Sequence, residues 1–86
     1  MDENSIRGRK ARMIELAALF KEKKVGTSKS LEGILFKFCT REGVKMSTAR
    51  DYVDCFKGVG LLKIRNGEKK WKYNSEIEME VFGISI

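Results

Sequence analysis

Eighteen lysine and arginine residues, two cysteines and no histidine set the chemistry open to this 86-residue chain. Without histidine there is no Ser-His or Cys-His pair to make a nucleophile, and the carboxylates form no recognisable acid/base motif. Cys39 and Cys55 alone cannot complete the four-ligand tetrahedral site that zinc requires. No catalytic residue, metal or cofactor is therefore expected, and the chain does not read as an enzyme. The two thiols are expected as small hydrophobes in or near the core, with a disulfide between helices or a bridge between two copies as the alternatives. What remains is charge and hydrogen bonding. The informative polar residues form three groups: Arg7, Arg9, Lys10 and Arg12; Ser47, Thr48, Arg50, Asp51 and Asp54; and Lys63, Arg65, Lys70 and Lys72. A net charge of +6 favours a polyanionic partner.

The stretch from Gly43 to Tyr73 positions two of these groups. Ala49, Val53 and Phe56 fall at the spacing of one buried helix face, with Ser47 as N-cap and Gly58 and Gly60 as the stop. Thr48, Arg50, Asp51 and Asp54 are left outside. The runs Leu61 to Arg65 and Lys69 to Tyr73 meet at Asn66-Gly67, a dipeptide suited to a two-residue hairpin turn. Such a turn pairs Arg65 with Glu68, Ile64 with Lys69, Lys63 with Lys70 and Leu62 with Trp71. Alternation then puts Leu62, Ile64, Trp71 and Tyr73 on a covered face. Lys63, Arg65, Lys70 and Lys72 share the other face with Glu68 and, less easily explained, Leu61. Trp71 is expected in the core.

Gly43, Ser47, Thr48, Phe56 and Gly60-Leu61-Leu62 followed by a basic hairpin resemble the second half of a winged helix-turn-helix domain. The resemblance implies an α+β fold of three helices with a C-terminal hairpin wing. It also implies double-stranded DNA as partner, as for a small prokaryotic, archaeal or viral transcriptional regulator. By position, Ser47, Thr48, Arg50, Asp51 and Asp54 match base-contact sites of the recognition helix, Arg50 suiting a bidentate contact to guanine. Arg50 and Asp54 also have the i,i+4 spacing of a surface ion pair. Lys63, Arg65, Lys70 and Lys72 match a wing along the DNA backbone. Many such domains dimerise to span two half-sites, so a homodimer is expected. The same architecture also serves as a protein-interaction module in replication, transcription or membrane-remodelling assemblies, and the two acids on the reading face favour that alternative.

Upstream, Met13, Leu16, Ala17 and Phe20 mark one stripe of a first helix over Ile6 to Lys24, with residues 1–5 frayed or capped by Ser5. The four cations at its start oppose the helix dipole, so they read either as a phosphate-contacting end or as a solvated one. Val25-Gly26-Thr27 has little room between two helical patterns, and the winged-helix resemblance implies an abbreviated first strand there. Ser28 or Ser30 caps a second helix carrying Leu31, Ile34, Leu35 and Phe38, which Gly43 closes. Three residues then separate Gly43 from Ser47, so the second and third helices must cross through a tight turn that Val44 or Met46 plugs. Residues 1–86 read as one domain.

Residues 76–86 carry three glutamates and no cation. Their strict alternation from Glu76 to Val81 reads first as an extra strand, with a dimerisation tail as the close alternative. Ile77, Val81 and Ile84 also fit a helix, and competition of this acidic tail with DNA is a further possibility. No apolar run approaches the roughly 20 residues of a membrane span, and no signal-peptide pattern opens the chain, so a cytoplasmic location is expected. Nothing in the sequence indicates a small-molecule ligand.

Overall fold

The computed structural model describes residues 2–64 and 69–86, with side chains from residue 8 onward. Four helices and a three-stranded antiparallel sheet make an α+β fold. Helix α1 (Asp2–Lys23) leads into strand β1 (Val25–Thr27), followed by α2 (Ser28–Glu42) and α3 (Met46–Val59). Strands β2 (Leu62–Ile64) and β3 (Lys70–Tyr73), a 3₁₀ turn (Ser75–Ile77) and helix α4 (Glu78–Phe82) complete the chain.

The helices lie where apolar spacing placed them, but their ends differ. Helix α1 begins at Asp2, so Ser5 lies inside it rather than at its cap. Lys24 leaves the helix at φ 73° and its carbonyl accepts from Tyr73 N at 2.8 Å, which turns the chain straight into β1. The cap of α2 is Thr27 rather than Ser28 or Ser30: its hydroxyl accepts from Ser30 N, and the Ser30 hydroxyl accepts from Thr27 N, a reciprocal capping box. Ser30 had the right chemistry and sits on the other side of the box. Gly43 closes α2 in the left-handed region, as expected. Helix α3 starts two residues earlier than a Ser47 cap implied; Lys45 is its N-cap, without a side-chain cap, and Ser47 is helical. It also continues through Gly58, and Gly60 at φ 84° alone ends it. Between α2 and α3, Val44 and Met46 are both half-buried against the core and close the turn.

A single cluster holds these elements together. Leu16, Ala17 and Phe20 from α1 meet Leu35 and Phe38 from α2 and Ala49, Tyr52, Val53 and Phe56 from α3. Leu61, Leu62, Trp71 and Tyr73 add the inner side of the sheet, and Phe82 adds α4. Phe20, Phe38 and Phe56 are at most 1% exposed, and burial of each such ring stabilises the fold by roughly 1.5–3 kcal/mol. Trp71 joins sheet to helices: its ring meets Phe20 edge to face at 5.0 Å, and its Nε1 donates to Ser30 Oγ at 3.2 Å. Gly26 lies opposite Trp71, and a Cβ there would stand 2.7 Å from Trp71 Nε1, so the close approach of β1 requires glycine.

The sheet order is β1-β3-β2. Leu62 pairs with Tyr73, Lys63 with Lys72 and Ile64 with Trp71, a register two residues away from that of a two-residue Asn66-Gly67 turn. Residues 65–68, including that turn, lie outside the described residues. Because side chains alternate with period 2, a two-residue shift leaves both faces as assigned. Leu62, Trp71 and Tyr73 are buried, and Lys63, Lys70 and Lys72 are exposed. Ile64, 38% exposed, is only partly covered. Leu61 departs from the expected outer face: it is fully buried, precedes β2, and donates its N–H to Phe56 O at the end of α3.

The expected C-terminal strand is a 3₁₀ turn and a helix instead. Alternation fails because burial follows a different pattern: Glu78 is 4% exposed, Met79 is 61% exposed, and Phe82 packs edge to face on Phe56 at 6.2 Å. The tail folds back in cis. Lys21 Nζ donates to Glu78 Oε1 at 2.9 Å and to Ile86 O, while Tyr73 Oη and Ile86 N donate to Glu78 Oε2 at 3.0 and 3.3 Å. Burial alone would raise the Glu78 pKa, yet these hydrogen bonds and the Lys21 charge outweigh it and hold the carboxyl below its ordinary range. Burial of the ring, reinforced by the same carboxylate, pushes the Tyr73 phenol well above its own.

Candidate nucleic-acid interface

The structure distributes the three polar groups over α1, α3 and the sheet, and treats their charges differently. On α3, the tight Gly43–Lys45 turn after α2 turns Ala49, Tyr52, Val53 and Phe56 inward. Ser47, Arg50, Asp51 and Asp54 are consequently exposed, and Thr48 is half-buried. The i,i+4 pair of Arg50 with Asp54 is not formed. Arg50 Nη2 instead reaches across to Glu32 Oε1 on α2 at 3.1 Å, and Asp54 Oδ1 lies 3.8 Å from Lys57 Nζ. Glu32 was invisible as a partner because the crossing of α2 over α3, rather than sequence spacing, brings it there. Both members of the Arg50–Glu32 pair are more than half exposed, so water screens it and a stronger acceptor can displace it.

Tyr52 packs inward, with its ring edge to face on Phe38 at 6.3 Å. Its hydroxyl accepts from Arg12 Nε at 3.5 Å, the long end of hydrogen-bond geometry, which places Arg12, halfway along α1, beside α3. Arg9 and Lys10 are exposed one turn or less before Arg12. The side chain of Arg7 lies outside the described residues. Arg41, on the last turn of α2, stands 4.0 Å from Glu15 and ties α1 to α2 only loosely.

On the sheet, the register brings Lys63 and Lys72 directly opposite one another, with Lys70 two residues along the same face of β3. None of the three forms an ion pair among the described residues. Arg65, expected to complete this group, lies outside the described residues. Pairing of β1 with β3 adds Val25 opposite Lys72 and Thr27 opposite Lys70. That composite surface was not legible beforehand, since nothing in the spacing of residues 25–27 indicates which strand they join.

The thiols divide. Cys39 is half-buried with its Sγ 3.5 Å from Met46 Sδ, and burial raises its pKa while Arg50 pulls slightly the other way. Cys55 is exposed on α3, in contrast to the expected core position, and both thiols are free. Among the described residues no helix is long and apolar enough to cross a membrane. Comparisons with protein-family models, characterised proteins and solved structures gave no match.

Proposed function

We propose that this chain binds double-stranded DNA as a winged helix-turn-helix protein, in the manner of a small transcriptional regulator. The observation that carries the reading is the set of three sheet lysines, exposed on one face without a described counter-charge, on the strand pair that follows the tightly joined helices α2 and α3. In this reading Lys63, Lys70 and Lys72 displace counterions from phosphates, with Arg9, Lys10 and Arg12 adding contacts beside α3. Ser47, Thr48 and Arg50 then address base edges, Arg50 exchanging Glu32 for a guanine. Specific recognition as a dimer would span two half-sites. Because α4 and residues 83–86 fold back onto α1, the tail offers such a contact only its exposed Met79 and Ile84, and Phe36 and Val59 are exposed apolar groups elsewhere on the helices.

The test is the affinity of the purified protein for a random-sequence duplex across a salt series, with its oligomeric state recorded in parallel. Neutralising about six phosphates gives a slope of log K against log salt of roughly −5. No retention even at low salt would sink the reading. A second reading, a winged-helix protein-interaction module, is favoured by the exposed Asp51 and Asp54 and by the pairing of Arg50 and Lys57 with acids. Its face would be α3, and it gains if salt-insensitive protein binding replaces duplex binding.

A further inference from the structure

The outer side of the sheet combines two features that are unfavourable in water, and they adjoin. Lys63 and Lys72 are direct cross-strand partners, a like-charge juxtaposition that weakens a sheet. On the other side of Lys72, its partner in β1 is Val25, 55% exposed. The row Val25–Lys72–Lys63 thus runs from apolar to cationic across three strands, with Thr27 and Lys70 in the adjoining row. These side chains, with Gly26 and Trp71 between the two rows, line an open hollow of about 540 Å³. Small-ligand sites commonly enclose about 300–1,000 Å³.

We propose that this hollow binds a small organic phosphate with an apolar or aromatic body. The body lies over Val25 and the aliphatic stems of the lysines, and the phosphate sits between Lys63 and Lys72 with Lys70 in reach. Ammonium groups are compact point charges that bind phosphate, and three of them on one face match the near-double negative charge of a phosphate monoester better than the single charge of a carboxylate. An anion relieves the repulsion of the lysines, and an apolar body takes Val25 out of water. Neither inorganic phosphate nor a neutral apolar molecule does both. The site stands on the register and the hollow, independently of DNA binding, but its ligand takes the lysines that the DNA reading assigns to phosphates. The two partners would therefore exclude one another.

The experiment titrates the whole chain at low salt with 1-naphthyl phosphate, 1-naphthol and inorganic phosphate, followed by calorimetry and naphthyl fluorescence. One naphthyl phosphate per chain is expected, bound about tenfold or more tightly than either of the other two. The Lys63→Gln/Lys72→Gln and Val25→Ser variants should each weaken it, the first by about tenfold, while Lys37→Gln, at an exposed position of α2 outside the hollow, leaves it unchanged. Equal affinity for inorganic phosphate would remove the role of the apolar floor, and equal affinity for naphthol that of the lysines; either overturns the proposal. So does unchanged binding in variants that melt like the parent protein. If the double variant does not fold, Lys70→Gln serves in its place with the same two outcomes. A random duplex tested on the same samples separates the readings: naphthyl phosphate bound without duplex retention removes DNA binding alone.

Discussion

Helix α3 and the outer face of the sheet both expose charge, and they dispose of it in opposite ways. On α3 each exposed cation has an acid: Arg50 has Glu32 across the helix crossing, and Lys57 has Asp54 on its own helix. With Asp51 added, the face is close to neutral. On the sheet, Lys63 faces Lys72 and Lys70 follows, with no described carboxylate among them. Exposed ion pairs are individually weak, so α3 can exchange partners at small cost, whereas the lysine row gains from any anion that approaches. Under the proposed DNA-binding reading, the difference assigns attraction to the sheet and discrimination to α3. Polyanion affinity should therefore follow the sheet lysines, and any preference for sequence should follow Arg50.

The largest effect expected is structural and lies beneath the lysine face. Trp71→Ala should destabilise the protein by about 3–5 kcal/mol in denaturant unfolding, since it removes the Phe20 contact and leaves Ser30 Oγ without its indole donor. A loss below about 1 kcal/mol would mean that the sheet is held by other contacts and that its face is not fixed by this ring.

Next comes charge reversal on the face itself. Lys63→Glu/Lys72→Glu should weaken duplex binding by about a hundredfold at low salt and flatten the salt slope by about 2, with little change in melting temperature. An unaltered slope would transfer the polyanion site away from the sheet and undo the contrast with α3.

Arg50→Ala sharpens the same contrast from the other side. On a selected target it should lose about 1–3 kcal/mol of discrimination while binding to random duplex changes little. A uniform drop over all sequences would make Arg50 a phosphate contact rather than a reader.

The buried carboxylate supplies a third kind of charge. Glu78 has three donors, and Glu78→Gln should cost about 1–3 kcal/mol at pH 7. Its folded pKa is depressed, so this contribution is complete above the unfolded value of about 4.3 and is lost as pH falls through the lower folded value. Acid unfolding curves of the parent and the variant should converge at the acid end; curves that stay parallel would mean that Glu78 is not the titrating group. The smallest effect belongs to Glu32→Gln, within about 0.5 kcal/mol of parental stability because both partners are in water. A larger loss would show that the α2–α3 pair fixes the helix crossing rather than merely decorating it.

Local physics made much of this legible in the chain. Apolar residues three and four apart placed α1, α2 and α3, because a helix of 3.6 residues per turn has one face to bury. Gly43 and Gly60 ended helices where a left-handed residue was needed, and strand alternation put Leu62, Trp71 and Tyr73 inside and three lysines outside. Those face assignments survived a register error of two residues, since two is the period of the pleat. Other features depend on contacts that sequence spacing does not encode. Thr27 rather than Ser28 caps α2 because β1 delivers its backbone to Ser30. The tail is helical because Lys21, 57 residues away, and Tyr73 give Glu78 a buried place that alternation would have denied it. Arg50 found Glu32, and Val25 joined the lysine row, through the helix crossing and the β1–β3 pairing. The sequence by itself determined the buried faces of the three long helices and of the strands; only the tertiary structure decided the exceptions, Leu61, Cys55 and Glu78, and which exposed residues become neighbours, because proximity between elements is set by packing and strand pairing rather than by position along the chain.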